Sequence, residues 1–208
     1  NKYIYNFSPQ NGEGSKKLVN ILGGKGANLA EMSLLNIPVP PGFTISTDVC
    51  NYFLKKNEFP ENFKESLLSS IKNTEKILGN KFGDKKNPLL FSVRSGSRES
   101  MPGMMETVLN VGLTSKTLEG LINQTKDERF AYDSYRRLIM MYTDVVMEKA
   151  NNLNYGIREH FDSLLMQKKQ KHNIINDSEL SVETLEELCN IFKKEVEIKL
   201  NKKFPDDP

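Results

Sequence analysis

One lysine stands among glycines in the segment Gly23-Gly24-Lys25-Gly26, where a glycine pair precedes a predicted helix. A helix N-terminus carries partial positive charge and unpaired N–H groups, so a lysine in its first turn is unfavourable unless an anion lies nearby. Glycines let the backbone approach a phosphate closely, and Lys25 would add a point charge. The alternative is a solvated lysine after a C-cap glycine pair. The segment is neither a Walker A motif nor a G-x-G-x-x-G motif.

An arginine closes a second segment of interest, Phe91-Ser92-Val93-Arg94. The apolar run Leu89–Val93 predicts a buried strand, and open sheets place ligands at the carboxyl ends of their strands. The guanidinium group offers a fork of donors that matches phosphate oxygens. An ion pair of Arg94 with Glu99 or Glu106 is the alternative interpretation.

Three methionines and a glycine occur together in the third segment, Ser100–Thr107. Methionine side chains adapt to flat apolar surfaces, such as an adenine ring or a closing lid, and they also fill gaps in cores. Both interpretations stay open from the sequence. The three segments reinforce one another because each is predicted at the ligand-facing end of one α/β unit.

Two kinds of pattern divide the chain into parts that would position these segments. The first part alternates short strands with helices between glycines and prolines, with strands predicted at Tyr3–Phe7, Phe43–Ser46, Leu89–Val93 and Val108–Val111. Thr47 is predicted to cap the helix that follows the second strand. The later part is helical in its periodicity, with helices predicted at Glu128–Lys149, at Ile157–Lys171 and after Ser181. We therefore predict a mixed α/β fold with subdomains at residues 1–113 and 114–208.

Composition excludes several classes of protein. The net charge of +2 leaves no basic field for nucleic acid. No apolar run approaches the roughly 18 residues that span a bilayer, so we expect no membrane association and a cytoplasmic location. Cys50 and Cys189 lack metal-site spacing and are interpreted as reduced core thiols. No metal ligands are predicted in this chain.

These segments resemble the pyruvate, phosphate dikinase family. The similarity runs along essentially the whole chain, and the matching stretches are Leu22–Met32, Pro38–Phe43, Phe91–Gly96, Met101–Met105, Thr107–Asn110, Arg129–Arg137, Asp144–Met147 and Phe204–Pro208. The sister enzymes that use water in place of phosphate typically have G-G-K-N-A and lack the S-M-P-G-M-M run. The pyruvate, water dikinase type is therefore the second choice.

The resemblance implies an ATP-grasp N-terminal subdomain with an inserted all-helical subdomain. The family interconverts ATP, pyruvate and phosphate with AMP, phosphoenolpyruvate and pyrophosphate through a phosphohistidine. By motif match, Lys25 and Arg94 would be the catalytic residues that hold the phosphates of ATP. The loop over the nucleotide would be formed by Gly103, Met104, Met105, Glu106 and Thr107.

Other features of the family are not found in these 208 residues. Phosphoryl transfer uses Mg²⁺ held by carboxylates, and no carboxylate pair on a strand is evident, so those ligands are expected outside this chain. The resemblance also implies a phosphohistidine domain in cis, a pyruvate-binding part and a homodimer. We therefore expect an enzyme fragment that is inactive in isolation. A non-catalytic module with Glu128–Leu200 as an interaction bundle is the alternative from another class.

Overall fold

Helices and strands alternate in the first part of the chain, and helices dominate the second, in a computed structural model that describes residues 2–96 and 107–208. The strands are β1 (Ile4–Ser8), β2 (Asn11–Gly12), β3 (Gly42–Ile45), β4 (Lys81–Phe82), β5 (Pro88–Leu89), β6 (Phe91–Arg94) and β7 (Thr107–Val111). The α-helices are α1 (Val19–Leu34), α2 (Thr47–Lys56), α3 (Phe63–Leu78), α4 (Leu118–Thr125), α5 (Glu128–Tyr142), α6 (Ile157–Lys171) and α7 (Val182–Leu200). The mixed α and β fold class is confirmed.

The described residues form two compact units, the first containing residues 2–81 and 94–96 and the second containing 82–93 and 107–208. Strand β7 therefore belongs to the same unit as helices α4–α7. Val108 of this strand and the nearby Leu113 are buried in the same apolar cluster as those helices. The units do not divide at residue 113. The assignment of 1–113 and 114–208 to two subdomains stays a prediction.

A small antiparallel sheet of order β2-β1-β3 organises the first unit. In its register Ile4 pairs with Ile45 and Asn6 pairs with Phe43. Because side chains alternate between the faces of a strand, Ile4 and Phe43 lie on one face. There they pack with Val49 of α2 and Phe63 of α3 around a small core. Helix α1 also packs against this sheet.

Helices α4–α7 pack around one large apolar cluster in the second unit. Its centre includes the stacked rings of Phe161 and Phe192, whose centroids lie 4.4 Å apart, and both rings are fully buried. The predicted helix Glu128–Lys149 is continuous but not uniform, since α5 passes at Thr143 into a π-helical segment that ends at Glu148. That segment is followed by a 3-10 turn at Lys149–Asn151.

Local sequence signals predicted several helix boundaries correctly, but they predicted one strand that the structure does not contain. Helix α6 spans the predicted Ile157–Lys171, and the Ser181 hydroxyl caps α7 by accepting from the N–H of Thr184. The predicted buried strand Leu89–Val93 is wrong, because β5 and β6 are separate strands and Val93 is 53% exposed. Among the described residues, β6 pairs with β7 alone, which leaves part of β6 open to solvent.

Residues 204–208 return to the place where the chain enters the helical part. The N–H and hydroxyl groups of Ser115 donate to the carboxylate of Asp206, and the ring of Phe204 meets Tyr142 edge-on at 5.7 Å. A methyl group built on Gly83 would lie 3.2 Å from a ring carbon of Pro208. These contacts tie the last residues to the segment that precedes α4 and to the end of α5. Across the described residues, no helix has the length and apolarity that crossing a membrane requires.

Candidate functional site

Helix α1 is interrupted at Gly23, where the backbone has φ 68° and ψ 171° instead of helical values. Only glycine adopts such angles without strain. The run from Gly24 to Leu34 therefore begins as a new helix, as the sequence predicted, and half-buried Lys25 lies in its first turn. The first N–H groups of a helix have no partners within it, so this turn has the character of an anion-binding site.

Gly26 fixes how closely this helix approaches the sheet. A methyl group at this position would lie 2.6 Å from Cγ2 and 2.9 Å from Oγ1 of Thr44 in β3. Both distances are far below van der Waals contact, so any larger residue would push α1 away from β3. Gly26, the third glycine of the pattern, thus has a packing role, which the sequence did not reveal.

Two long-range hydrogen bonds lie at or just before the start of α1, one made by a side chain of α1 and one received by its backbone. A carboxylate oxygen of Glu31 accepts from the N–H of Lys16 at 3.0 Å, and the hydroxyl of Thr47 donates to the carbonyl of Asn20 at 2.8 Å. The prediction that Thr47 caps its own helix is wrong, because Ser46 occupies the N-cap position of α2. Thr47 instead reaches a carbonyl 27 residues earlier in the chain.

Arg94 is exposed as the last residue of β6, and it groups with the first unit. Two residues later the backbone meets the interruption of α1. A methyl group on Gly96 would lie 3.8 Å from the carbonyl oxygen of Leu22 and 4.0 Å from Cα of Gly23. The structure therefore brings the two predicted phosphate-binding segments together. A direct approach of the Lys25 and Arg94 side chains stays a prediction.

The predicted nucleotide loop is described only at its end. Thr107 is half-buried as the first residue of β7. The other predicted loop residues, Gly103, Met104, Met105 and Glu106, lie outside the described residues.

The second unit carries a dense set of charged groups whose contacts are internal. The guanidinium of buried Arg136 donates to Asp133 at 2.6 Å, and Arg137 donates to the same carboxylate at 2.9 Å. Both arginines therefore pair with an aspartate on their own helix. Arg136 also contacts Asp177, which binds Lys169 at 2.8 Å. This network ties the segment after α6 to the helices.

The cysteines have different environments, and only one belongs to the core. Cys189 is buried, and burial raises the pKa of its thiol to about 12, so it stays protonated. Cys50 is exposed on α2, which corrects the prediction of a core thiol. Within residues 2–96 and 107–208, no three His, Cys, Asp or Glu side chains cluster as metal ligands would.

Comparison with known proteins identifies the source of these motifs. Residues 19–69, which include the interrupted helix, match the family model "Pyruvate phosphate dikinase, AMP/ATP-binding domain". The whole chain is 46% identical to pyruvate, phosphate dikinase of Rhizobium meliloti (strain 1021) over 209 residues, and 41% identical to that of Clostridium symbiosum over 209 residues. Along its whole length, this chain is similar to pyruvate, phosphate dikinases. The match with the enzyme of Rickettsia conorii (strain ATCC VR-613 / Malish 7) is 43% over 208 residues.

The chain spans only part of the length of the curated pyruvate, phosphate dikinases that it matches. All of this chain aligns with each of these three relatives, but it covers 22% of the Rhizobium protein and 23% of the other two. The two segments that meet at Gly23 and Gly96 lie within this shared part of the family.

Proposed function

We propose that this chain is the nucleotide-binding part of a pyruvate, phosphate dikinase. Such an enzyme interconverts ATP, pyruvate and phosphate with AMP, phosphoenolpyruvate and pyrophosphate through a phosphohistidine. The description of the matching family model names AMP and ATP, and all three relatives reported above carry the dikinase name. The same matches disfavour the pyruvate, water dikinase alternative.

One observation supports the location of the site more than any other. The backbone at Gly96 lies against Leu22 and Gly23, so the arginine of β6 and the lysine of α1 project from neighbouring segments. A nucleotide triphosphate carries several negative charges within a few ångströms. Two cations beside a helix N-terminus form a suitable environment for such a group.

The two side chains have different roles in this proposal. Arg94 would bind two oxygens of one phosphate through its planar fork, which fixes the orientation of that phosphate. Lys25 would add a point charge next to the N–H groups of the helix that begins at Gly24. Together they would hold the phosphates in line for transfer and offset the charge that develops there. The segment Gly103–Thr107 would cover the nucleotide.

Mg²⁺ belongs to the proposal for the whole enzyme and not to a site on this chain. The described acidic residues do not fit a metal centre, since no cluster of three ligands exists among them. No step is therefore assigned to a metal held here. A phosphohistidine domain in cis, pyruvate and phosphate as further substrates, a homodimer and a cytoplasmic location complete the proposal.

Nucleotide titration of the 208-residue chain, followed by backbone amide NMR shifts, tests the proposal. ATP should shift the amide signals of residues 22–26 and 94–96 in a saturable way, and Lys25→Ala should weaken that response. Saturable shifts confined to the second unit would contradict the assignment. The absence of any response at about 10 mM ATP would also contradict the assignment, because it would mean a binding free energy weaker than roughly −3 kcal/mol.

A further inference from the structure

The side chain of Thr47 makes a contact that does not serve its own helix. Its hydroxyl donates to the carbonyl oxygen of Asn20 at 2.8 Å, although the two residues are 27 positions apart. Helix α2 begins at Thr47 after the N-cap residue Ser46, and the buried Ser46 hydroxyl has no hydrogen-bond partner among the described residues. The start of α2 is thus left without a side-chain cap, while Thr47 binds α1.

The carbonyl that Thr47 reaches lies just before the interruption of α1. In an uninterrupted helix, the carbonyl of Asn20 would accept from the N–H of Gly24. The backbone of Gly23, between these two residues, departs from helical angles. This departure turns the peptide group between Gly23 and Gly24 out of its helical orientation. The hydroxyl of Thr47 supplies a donor to the carbonyl of Asn20 instead.

The packing around this bond keeps the two elements close. Gly26 lies three residues beyond the interruption and touches Thr44, which precedes Thr47 by three residues. One stretch of chain, residues 44–47, therefore contacts α1 on both sides of Gly23. A contact on one side only would let the two halves of α1 pivot about the glycine.

We propose that Thr47 is a positioning residue that holds the interruption at Gly23, so that the helix carrying Lys25 starts at Gly24. The expected effect on nucleotide binding rests on the proposed function. The restraint on α1 does not, because it can be measured without any ligand. The hydroxyl acts through the backbone of Asn20, so Thr47 itself need not touch the nucleotide.

Amide hydrogen exchange in the 208-residue chain tests the restraint directly. The informative amides are those of residues 27–29, which are the first to have partners in a helix that starts at Gly24. Thr47→Val keeps the shape but removes the donor, and it should speed their exchange about fivefold, the factor expected for one lost hydrogen bond. Thr47→Ser keeps the hydroxyl and should restore slow exchange.

A matched control is available in the same unit. The hydroxyl of Ser66 donates to the carbonyl of Asn62 at 3.0 Å in an exposed position at the start of α3, so Ser66→Ala removes a hydroxyl-to-carbonyl bond elsewhere. It should leave exchange at residues 27–29 unchanged. Unchanged exchange at residues 27–29 in Thr47→Val would overturn the proposal. An equal acceleration throughout the first unit, together with a lower melting temperature, would also overturn it, because the effect would then be a general loss of stability.

An ATP titration of the same variants then tests the link to binding. If the restraint positions Lys25, Thr47→Val should weaken ATP binding about fivefold while Thr47→Ser and Ser66→Ala bind as the unmodified chain does. Local loosening without any loss of ATP affinity would overturn the positioning role. If the unmodified chain does not bind ATP, the proposed function fails, and the exchange data alone decide whether Thr47 holds the interruption.

Discussion

Gly26 packs against Thr44 so closely that a methyl group on the glycine would lie 2.6 Å from Cγ2 of the threonine. The helix that begins at Gly24 is therefore seated on β3 at the position next to Lys25. Any change that lifts this helix also moves the lysine. Packing and proposed chemistry are thus coupled at neighbouring residues.

Gly26→Ala should destabilise the chain by about 1–2 kcal/mol, although alanine is the better helix former by about 1 kcal/mol, because the added methyl overpacks this contact. Thermal unfolding would register the loss as a melting temperature lower by roughly 2–8 °C. Thr44→Ala removes both contacting atoms. In a chain that already carries Thr44→Ala, the further change Gly26→Ala should therefore cost much less stability than it does in the unmodified chain. Additive effects of the two substitutions would show that this contact is not the cause.

Arg94→Lys should weaken ATP binding by about tenfold while leaving the melting temperature unchanged, because lysine keeps the charge but loses the fork. In an enzyme that contains this chain, the same substitution should reduce turnover severely. Exposed Lys72 of α3 offers a control, since Lys72→Arg changes the same two residue types away from the site. Normal turnover of the Arg94→Lys enzyme would mean that the arginine has only a structural role.

The 208-residue chain alone should bind ATP no tighter than about 1 mM, which corresponds to roughly −4 kcal/mol. The ATP-grasp fold implied by the family resemblance holds its nucleotide between two subdomains, of which this chain would supply one. A typical pocket buries about 70–90% of its ligand, and one subdomain alone would bury much less. Without a carboxylate cluster among the described residues, we also expect no detectable nucleotide hydrolysis or phosphoenolpyruvate formation. Calorimetry that gave micromolar affinity would contradict this expectation.

Glu148→Gln should lower stability by about 1–3 kcal/mol, the usual cost of disturbing buried polar partners. The carboxylate of Glu148 is 4% exposed and accepts from the N–H groups of Tyr155, Gly156 and Ile157 at the start of α6. An amide offers one oxygen for these donors, and its NH₂ group would face another donor. Exchange at 155–157 should accelerate more than exchange elsewhere in α6, and uniform acceleration would argue against the local role.

Asp177→Asn should destabilise the chain at pH 7 by about 1 kcal/mol, and this effect should shrink as the pH falls below the ordinary aspartate pKa of about 4. Partial burial alone would raise the pKa of Asp177, but the hydrogen bond from Lys169 and the charge of Arg136 outweigh it and lower the pKa below its ordinary value. A lowered pKa in the folded state means that the stabilisation is present above the ordinary pKa and disappears as the pH falls through the folded value. Urea unfolding at several pH values measures this difference.

Asp162→Asn is the matched control for that experiment. Asp162 contacts Arg158 at 3.3 Å on the exposed surface of α6, where such pairs contribute little. Its effect should be small at every pH tested. A pH-independent loss in Asp177→Asn would show that the ion pairs do not account for the stabilisation.

Local spacing predicted most of the helices in the later part of the chain, although not α4 and not the π-helical segment after α5. The apolar spacing predicted the bounds of α6 and a helix after Ser181, whose hydroxyl accepts from a backbone N–H only three residues away. Such contacts are set by the helical repeat, which the sequence displays directly. The motif around Lys25 likewise indicated a helix that opens at glycines.

Only the tertiary structure decided what lies next to that motif. The hydroxyl of Thr47 was predicted to cap its own helix, a choice that local statistics favour, but it binds Asn20 instead. The contact of Gly96 with Leu22 likewise joins residues far apart in the sequence. Such contacts depend on how β3 and α1 pack, which no periodicity encodes. The sequence thus determined the residue types suited to bind phosphate, and packing decided which backbone groups bring their segments together.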